Sequence, residues 1–148
     1  MKGNTAALVE KVQNFYNGEP YYGDPILKVL NGINSEKSLT RVGKNAHNIA
    51  ELLAHIIGWE EYVIKQFKGN KEFQMEQNFS FDWSRIDKNE KSLWASLTAK
   101  LDEIHGELIS ILKDDKYDFG KRATMVNNMM EHDIYHLGQI AILKKIIG

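Results

Sequence analysis

Two histidines near the end of the chain, His132 and His136, have the residue type and spacing that bind a metal ion. Residues four apart on a helix lie about 40° apart around its axis and about 6 Å apart along it, so both imidazoles would point the same way. Neutral imidazole is a common ligand of zinc, copper, iron and nickel. The pair predicts a metal site, but the spacing alone is also compatible with two hydrogen-bonded core histidines or with two histidines in solvent.

The positions around the pair indicate that both rings face the protein interior. On the predicted last helix, from Ala123 to Gly148, Gln139 shares their face. The apolar positions beside them are Met125, Met129, Ile140, Leu143 and Ile147. An imidazole buried in hydrocarbon loses its hydration unless each nitrogen finds a partner. A bound metal ion would supply such a partner.

The opposite side of the same helix is apolar as well. Its members are Met130, Ile134, Leu137 and Ala141. A helix with two apolar faces must cover both of them. One face can line the interior while the other meets the first helical arm or a second subunit, and we therefore predict a homodimer.

Composition excludes several classes of protein. A chain of 148 residues fits one domain, and the absence of cysteine excludes thiolate ligands and a cysteine nucleophile. The net charge of −1, from 19 basic and 20 acidic residues, argues against a nucleic-acid partner. No apolar run approaches the roughly 18 residues of a membrane span, and no signal-peptide pattern opens the chain. We predict a cytoplasmic protein without a membrane partner, whose metal site uses nitrogen and oxygen.

Hydrophobic periodicity predicts an all-α protein with four helical arms. The first arm is predicted as two helical pieces joined at a bend, over 5–16 and 26–33, and a long polar loop is predicted over 34–47. The second arm begins at Asn48, where Glu51 completes a capping-box pattern.

The second and third arms are joined by a predicted extended linker over 71–85. It carries aromatic residues at alternate positions, namely Phe79, Phe81 and Trp83. Another capping-box pattern, over 87–90, predicts the start of the third arm, which ends near Lys113. The helix that carries the histidine pair is the fourth arm.

Further polar groups lie on or beside the second and third arms. His55 is about 60° from Leu52 around the helix, just off the rim of the apolar arc of the second arm, so its ring could reach inward or lie at the surface. Glu60 falls within that arc, where a carboxylate is costly unless it is paired or lies near a cation. His105, at the edge of the third arm's stripe, is a conceivable further ligand, although packing or surface exposure is favoured. His47 has no assigned function.

The chain resembles the DinB / YfiT-like superfamily of metal-binding four-helix bundle proteins in two segments. They are 48–60, with the sequence Asn-Ile-Ala-Glu-Leu-Leu-Ala-His-Ile-Ile-Gly-Trp-Glu, and 132–140, with the sequence His-Asp-Ile-Tyr-His-Leu-Gly-Gln-Ile. Segment 22–32 is similar to the bent first arm of that family. The resemblance implies one DinB-like helical bundle domain over residues 1–148, a four-helix bundle of up-down-down-up type with long connections.

The same resemblance implies a three-histidine site for a divalent metal ion. The positions that correspond to the family's ligands are His55, His132 and His136. Zinc or nickel is favoured, and iron, manganese or cobalt is also compatible with such a site. Three imidazoles leave coordination positions open, which is the layout of a catalytic site.

Similar proteins include transferases that move a low-molecular-weight thiol such as bacillithiol, a mycothiol-dependent isomerase, and proteins described as metal-dependent hydrolases. The resemblance therefore implies a metal-dependent enzyme, a thiol S-transferase or a hydrolase, with a small-molecule substrate and a low-molecular-weight thiol as a candidate cosubstrate. The alternatives are a non-catalytic metal-binding bundle and a dimeric interaction module whose histidines bind no metal.

Accessory roles are assigned to four residues near the predicted ligands. Gln139 is a candidate contact for substrate or water, and Tyr135 is a candidate donor to a bound anion. Glu60 and Asp133 are candidates for orienting a ligand imidazole through its second nitrogen. For each of these residues a purely structural role is an equally good interpretation of the sequence.

Overall fold

The computed structural model describes residues 3–69, 85–117 and 123–148. Within these ranges the chain forms six helices and no strand, which confirms the all-α prediction. The helices are α1 (Gly3–Asn17), α2 (Ile26–Leu30), α3 (Ser35–Leu39), α4 (Ile49–Phe67), α5 (Leu93–Lys113) and α6 (Ala123–Ile147). No described helix is both long enough and apolar enough to cross a membrane.

The four long helices contact one another in a closed order. Helix α4 packs against α5 and α6, and α1 packs against the same two helices from the other side. One continuous core joins them, and its largest fully buried members include Phe15, Leu52, Ile56, Ile104 and Leu108. Burial of this apolar surface holds α4 and α6 side by side, and these two helices carry the predicted metal ligands.

The start of α4 follows the predicted capping box. The Oδ1 atom of Asn48 accepts from the backbone N–H of Glu51 at 2.9 Å, and Oε2 of Glu51 accepts from the backbone N–H of Asn48 at 3.2 Å. These bonds satisfy two amide donors that the first turn of a helix leaves without partners. They also fix where α4 begins, and hence the direction in which His55 points two turns later.

The prediction of a continuous polar loop over 34–47 is wrong in its first part, because α3 occupies 35–39. The side chain of Asn34 caps this short helix by accepting from the backbone N–H of Lys37 at 2.9 Å. Ser38 and Leu39 are buried, so the helix covers part of the core. A cap followed by a single apolar residue was too short a pattern for hydrophobic periodicity to detect.

The predicted start of the third arm is also misplaced. Residues 87–90 form a turn in which the backbone N–H of Glu90 donates to the carbonyl of Asp87 at 3.1 Å, and α5 begins later, at Leu93. The predicted end of this helix near Lys113 is confirmed. The predicted linker aromatics Phe79, Phe81 and Trp83 lie outside the described residues.

Both apolar sides of α6 are covered largely within the chain. Met130 and Leu137, from the second apolar face, are buried, and Ile134 and Ala141 are half-buried. Helix α6 contacts α1 and α2 as well as α4, so the first helical arm takes the place that a second subunit could have filled. The homodimer stays a prediction, which light scattering of the purified protein would test.

Candidate metal centre

Three histidines from two helices converge at one point of the structure. His55 comes from α4, and His132 and His136 come from α6. One nitrogen of each ring lies within 4.8 Å of those of the other two, and the Nε2 atoms of His55 and His132 are 2.9 Å apart. Nitrogens that share a tetrahedral zinc ion at about 2.0–2.1 Å lie about 3.3 Å apart, so the cluster has the size of a single-ion site.

Two of the three histidine rings are buried, and the third is partly exposed to solvent. His55 and His136 are buried, at 4% and 7% exposure, whereas the His132 side chain is 26% exposed. The interpretation of His55 as a flanking surface residue is therefore excluded, because the packing of α4 against α6 turns its ring inward. An ion among the three nitrogens would be reached from the side of His132.

The second nitrogen of each α6 histidine has a fixed partner. Nδ1 of His132 lies 3.0 Å from Oδ1 of Asp133, and Nδ1 of His136 lies 2.6 Å from Oε1 of Gln139. Since both oxygens accept, each Nδ1 carries the proton and each Nε2 presents its lone pair to the cluster. Hydrogen bonds of this kind orient metal-ligating imidazoles and make them more basic.

The electrostatic environment keeps a cluster histidine neutral. Burial lowers the pKa of His136, the hydrogen bond to Gln139 opposes that effect in part, and the neighbouring His132 lowers the pKa further. A metal competes with protons for the imidazole lone pair. At neutral pH the ring of His136 is consequently in the form that binds metal.

A pair of carboxyl groups lies behind the histidines. Glu60 of α4 and Asp133 of α6 are both buried, at 3% and 0% exposure. Burial raises the pKa of both groups well above the ordinary range, and the charge of Asp133 and a hydrogen bond to it raise the pKa of Glu60 further. Of the two carboxyl groups, Glu60 therefore holds its proton more tightly, since its pKa is raised by Asp133 whereas Glu60 lowers that of Asp133. This pairing meets the expectation that a carboxyl group at position 60 needs a partner.

Tyr22, in the connection between α1 and α2, contributes to the same environment. Burial, and then the charge of Asp133, raise the pKa of its phenol to about 12. The hydroxyl keeps its proton throughout the physiological range, so this side chain adds no charge beside the carboxyl pair. No sequence pattern indicated that Tyr22 lies near Asp133, because this proximity depends on how the first arm packs against α6.

The accessory residues predicted from the sequence lie in different places. Asp133 contacts the imidazole of His132 directly, whereas Glu60 contacts Asp133 and not the imidazole itself. Gln139, predicted as a substrate or water contact, has its amide oxygen on His136. The Tyr135 ring lies 5.0 Å from the ring of His136, and the residue is 66% exposed.

Two other aromatic contacts were not predicted. The Trp59 ring lies 5.1 Å from that of His132. The four-residue spacing places Trp59 on the same face of α4 as His55, one turn away, but its contact with His132 depends on how α4 and α6 pack. His105 is separate from the cluster, since its ring stacks on Tyr16 at 3.7 Å. Burial lowers the pKa of His105 to about 4, so its ring is neutral at physiological pH. It packs against Tyr16 and is not part of the histidine cluster.

Replacing Asp133 by alanine is expected to weaken zinc binding by about 10- to 100-fold, because the Nδ1 proton of His132 loses the acceptor that orients the ring. Competition with a chromophoric chelator measures this change. Asp133→Asn is the matched variant, since its amide oxygen can still accept from Nδ1, and its loss should be several-fold smaller. Equal losses in the two variants would contradict the orienting role.

Comparison with known proteins agrees with this geometry. The family model described as the DinB superfamily matches residues 24–140. The match spans α2 to most of α6 and includes all three histidines of the cluster. Neither a curated protein nor a solved structure matches the chain.

Proposed function

The chain belongs to the DinB superfamily, and from this premise we propose that its histidine cluster is the divalent metal site of a metal-dependent enzyme. The observation that supports the proposal most is the convergence of His55, His132 and His136, whose candidate ligand atoms lie within 4.8 Å of one another. The fold proposed with it is a single four-helix bundle domain of up-down-down-up type, with α1, α4, α5 and α6 as its long helices.

The donor set fits a divalent transition metal. Three neutral imidazoles suit zinc or nickel best, and iron, cobalt or manganese less closely. Two of the three rings have their second nitrogen bonded to an oxygen, as ligating histidines usually do. Three protein ligands leave at least one coordination position for a substrate, and this favours a catalytic site over a closed structural one.

The proposed reaction is the transfer of a low-molecular-weight thiol to an electrophile, or a hydrolysis. A divalent ion would supply Lewis acidity to the thiol, water or carbonyl group that reacts. The protein residues hold this arrangement: Asp133 and Gln139 orient the rings of His132 and His136, and the partial exposure of His132 leaves access for the reactants.

We also propose that the chain forms a homodimer through an exposed side of α6. Tyr135, Ile142 and Ile146 are each more than 60% exposed and follow one another along α6 at spacings of seven and four residues. Such spacing places them on one side of the helix, where contact with a partner would bury them. The non-catalytic alternatives share this surface, so the oligomeric state does not distinguish them from the enzyme.

Metal content and activity, measured on the same preparation, test the proposed function. Protein purified without a histidine tag should contain about one divalent ion per chain by elemental analysis, as a single three-histidine site requires. It should catalyse thiol addition to a panel of electrophiles, or hydrolysis of activated esters and amides. Chelator treatment should remove the activity, and the metal should restore it.

Two outcomes would contradict parts of the proposal separately. A bound ion without activity in either assay, and without an exchangeable water on the ion, would favour the non-catalytic metal-binding bundle. Absence of metal after incubation with zinc, nickel and manganese would favour the remaining alternative, a dimeric interaction module whose histidines bind no metal.

A further inference from the structure

A cleft of about 520 Å³ lies between α4 and α6 and extends to His132. Its described lining residues are Trp59, Tyr62, Val63, Thr124, Met125, Asn128, Met129 and His132. This volume is within the range of small-molecule sites, which bury most of a ligand of drug size. Since His132 is the exposed member of the histidine cluster, a ligand in this cleft would lie against the open side of the metal site.

The described walls of the cleft contain no aspartate, glutamate, lysine or arginine, and the only titratable side chains among them are Tyr62 and His132. Trp59 and Tyr62 pack edge to face with their ring centroids 5.7 Å apart, and Val63 and Met129 are buried beside them. Aromatic rings and thioethers contact apolar and aromatic ligands favourably. Away from His132, a charged group would lose its hydration in the cleft without gaining a partner of opposite charge.

Another cavity of similar size shows that this composition is particular to the cleft. The cavity of about 510 Å³ at the connection between α1 and α2 is lined by Glu19, Asp24 and Lys28 among others, and it contains none of the cluster histidines. Its lining suits polar solutes. The apolar lining therefore coincides with the cavity that reaches the metal site.

We propose that the cleft between α4 and α6 binds the uncharged, apolar part of the substrate, with an aromatic or alkyl body, and holds its reactive end at His132. This inference rests on the proposed function for the role of the bound molecule as substrate, but the binding itself depends only on the cleft. If the reaction is a thiol transfer, the cleft holds the electrophile.

Three probes of similar shape and different charge test the inference by calorimetric titration. They are 2-acetylnaphthalene, which is neutral, 2-naphthoate, which is an anion, and 2-naphthylmethylammonium, which is a cation. The neutral probe should bind at least about 10-fold more tightly than the cation, and at least about 10-fold more tightly than the anion in chelator-treated protein, where no metal ion can compensate the carboxylate. Similar affinities for all three probes would overturn the inference.

Variants of one lining residue locate the binding. Met125→Lys places a cation at the half-buried edge of the cleft, so it should weaken binding of the neutral probe and strengthen that of 2-naphthoate, each about 10-fold. Met125→Leu, which preserves the apolar surface, should bind like the wild type. Ala99→Lys adds the same charge at an exposed position of α5 and should change neither affinity. An unchanged probe preference in Met125→Lys would overturn the inference.

Chelator-treated protein separates this inference from the proposed function. The preference for the neutral probe should persist without metal, since the described cleft walls other than His132 belong to no ligand set. If the preference persists and the metal-loaded protein shows no enzymatic activity, the proposed function is refuted and the cleft remains as a binding site. Loss of the preference in a catalytically active protein would refute the cleft alone.

Discussion

Replacement of His132 by alanine is expected to abolish stoichiometric metal binding while the helices persist. The variant removes one of three converging nitrogens, and the remaining pair comes from different helices and cannot enclose the ion in the same way. Loss of a hydrogen-bonding partner behind a ligand already weakens metal binding by 10- to 100-fold, so loss of the ligand itself should exceed about 100-fold. The fold should remain, because the side chain of His132 is partly exposed and leaves little buried volume empty.

Elemental analysis, circular dichroism and thermal unfolding of the same variant measure these effects. In the wild type, added zinc should raise the free energy of unfolding by about 4 kcal/mol at a concentration 1,000 times the dissociation constant, because it binds only the folded chain. In His132→Ala the helical signal should be unchanged and the zinc-dependent stabilisation should disappear. The same result is expected for His55→Ala, since His55 is the one cluster histidine that α4 contributes.

His105→Ala provides the matched control for loss of a histidine. Its ring stacks on Tyr16 and lies outside the cluster, so this variant should keep its metal even if the lost contact lowers its stability. Full metal content in His132→Ala, or equal loss in His105→Ala, would show that the ion binds elsewhere.

The contrast between His55 and His105 shows where sequence patterns stop being sufficient. Both residues lie at the edge of an apolar stripe, so helical periodicity places them equally well inside or outside the core. What separates them is which helix each one faces: His55 meets α6, whereas His105 meets Tyr16 of α1. That choice depends on the packing order of the helices, which the family resemblance implied and spacing alone did not.

Side-chain contacts within one helix could be predicted from residue spacing, whereas contacts between helices could not. Gln139 lies three residues after His136, a spacing that brings side chains together on any helix, so its hydrogen bond to Nδ1 could have been predicted. The partner of Glu60 could not, because Asp133 lies on another helix and faces Glu60 only after α4 and α6 have packed. The need of Glu60 for some partner was nevertheless clear from its place in an apolar arc.

Replacement of Glu51 by alanine is expected to lower the free energy of unfolding by about 3–5 kcal/mol, the typical cost of removing one partner of a buried ion pair. Glu51 is 1% exposed and accepts from Arg41, whose two terminal nitrogens each reach one of its oxygens. It also accepts from the backbone N–H of Ile86 at 2.9 Å and from that of Asn48 at 3.2 Å. Without this carboxylate, the Arg41 guanidinium would lose the anion that it pairs with, although it would still donate to the carbonyl of Ala46, and the backbone N–H of Ile86 would lose its acceptor.

Urea denaturation of Glu51→Ala and of Glu51→Gln at neutral pH measures this effect. Glutamine can still accept at the start of α4, so its loss should be smaller than that of alanine. Glu10→Gln, at an exposed position of α1, removes the same charge and should change the free energy of unfolding by less than about 0.5 kcal/mol. A loss in Glu51→Ala no larger than in this control would contradict the role of the buried carboxylate.

The same carboxylate should determine part of the acid sensitivity of the protein. Burial alone raises the pKa of Glu51, but the hydrogen bonds from Arg41, Ile86 and His47 outweigh it and lower the pKa to about 2, against 4.5 for a free glutamate. The group therefore stabilises the fold fully above pH 4.5, and this contribution, about 3 kcal/mol, disappears as the pH falls from about 4.5 towards 2. As the pH is lowered from 6 to 3, the urea concentration at the unfolding midpoint should fall more steeply for the wild type than for Glu51→Gln, whose amide binds no proton in this range. Parallel pH profiles for the two proteins would show that Glu51 is not held ionised by its partners.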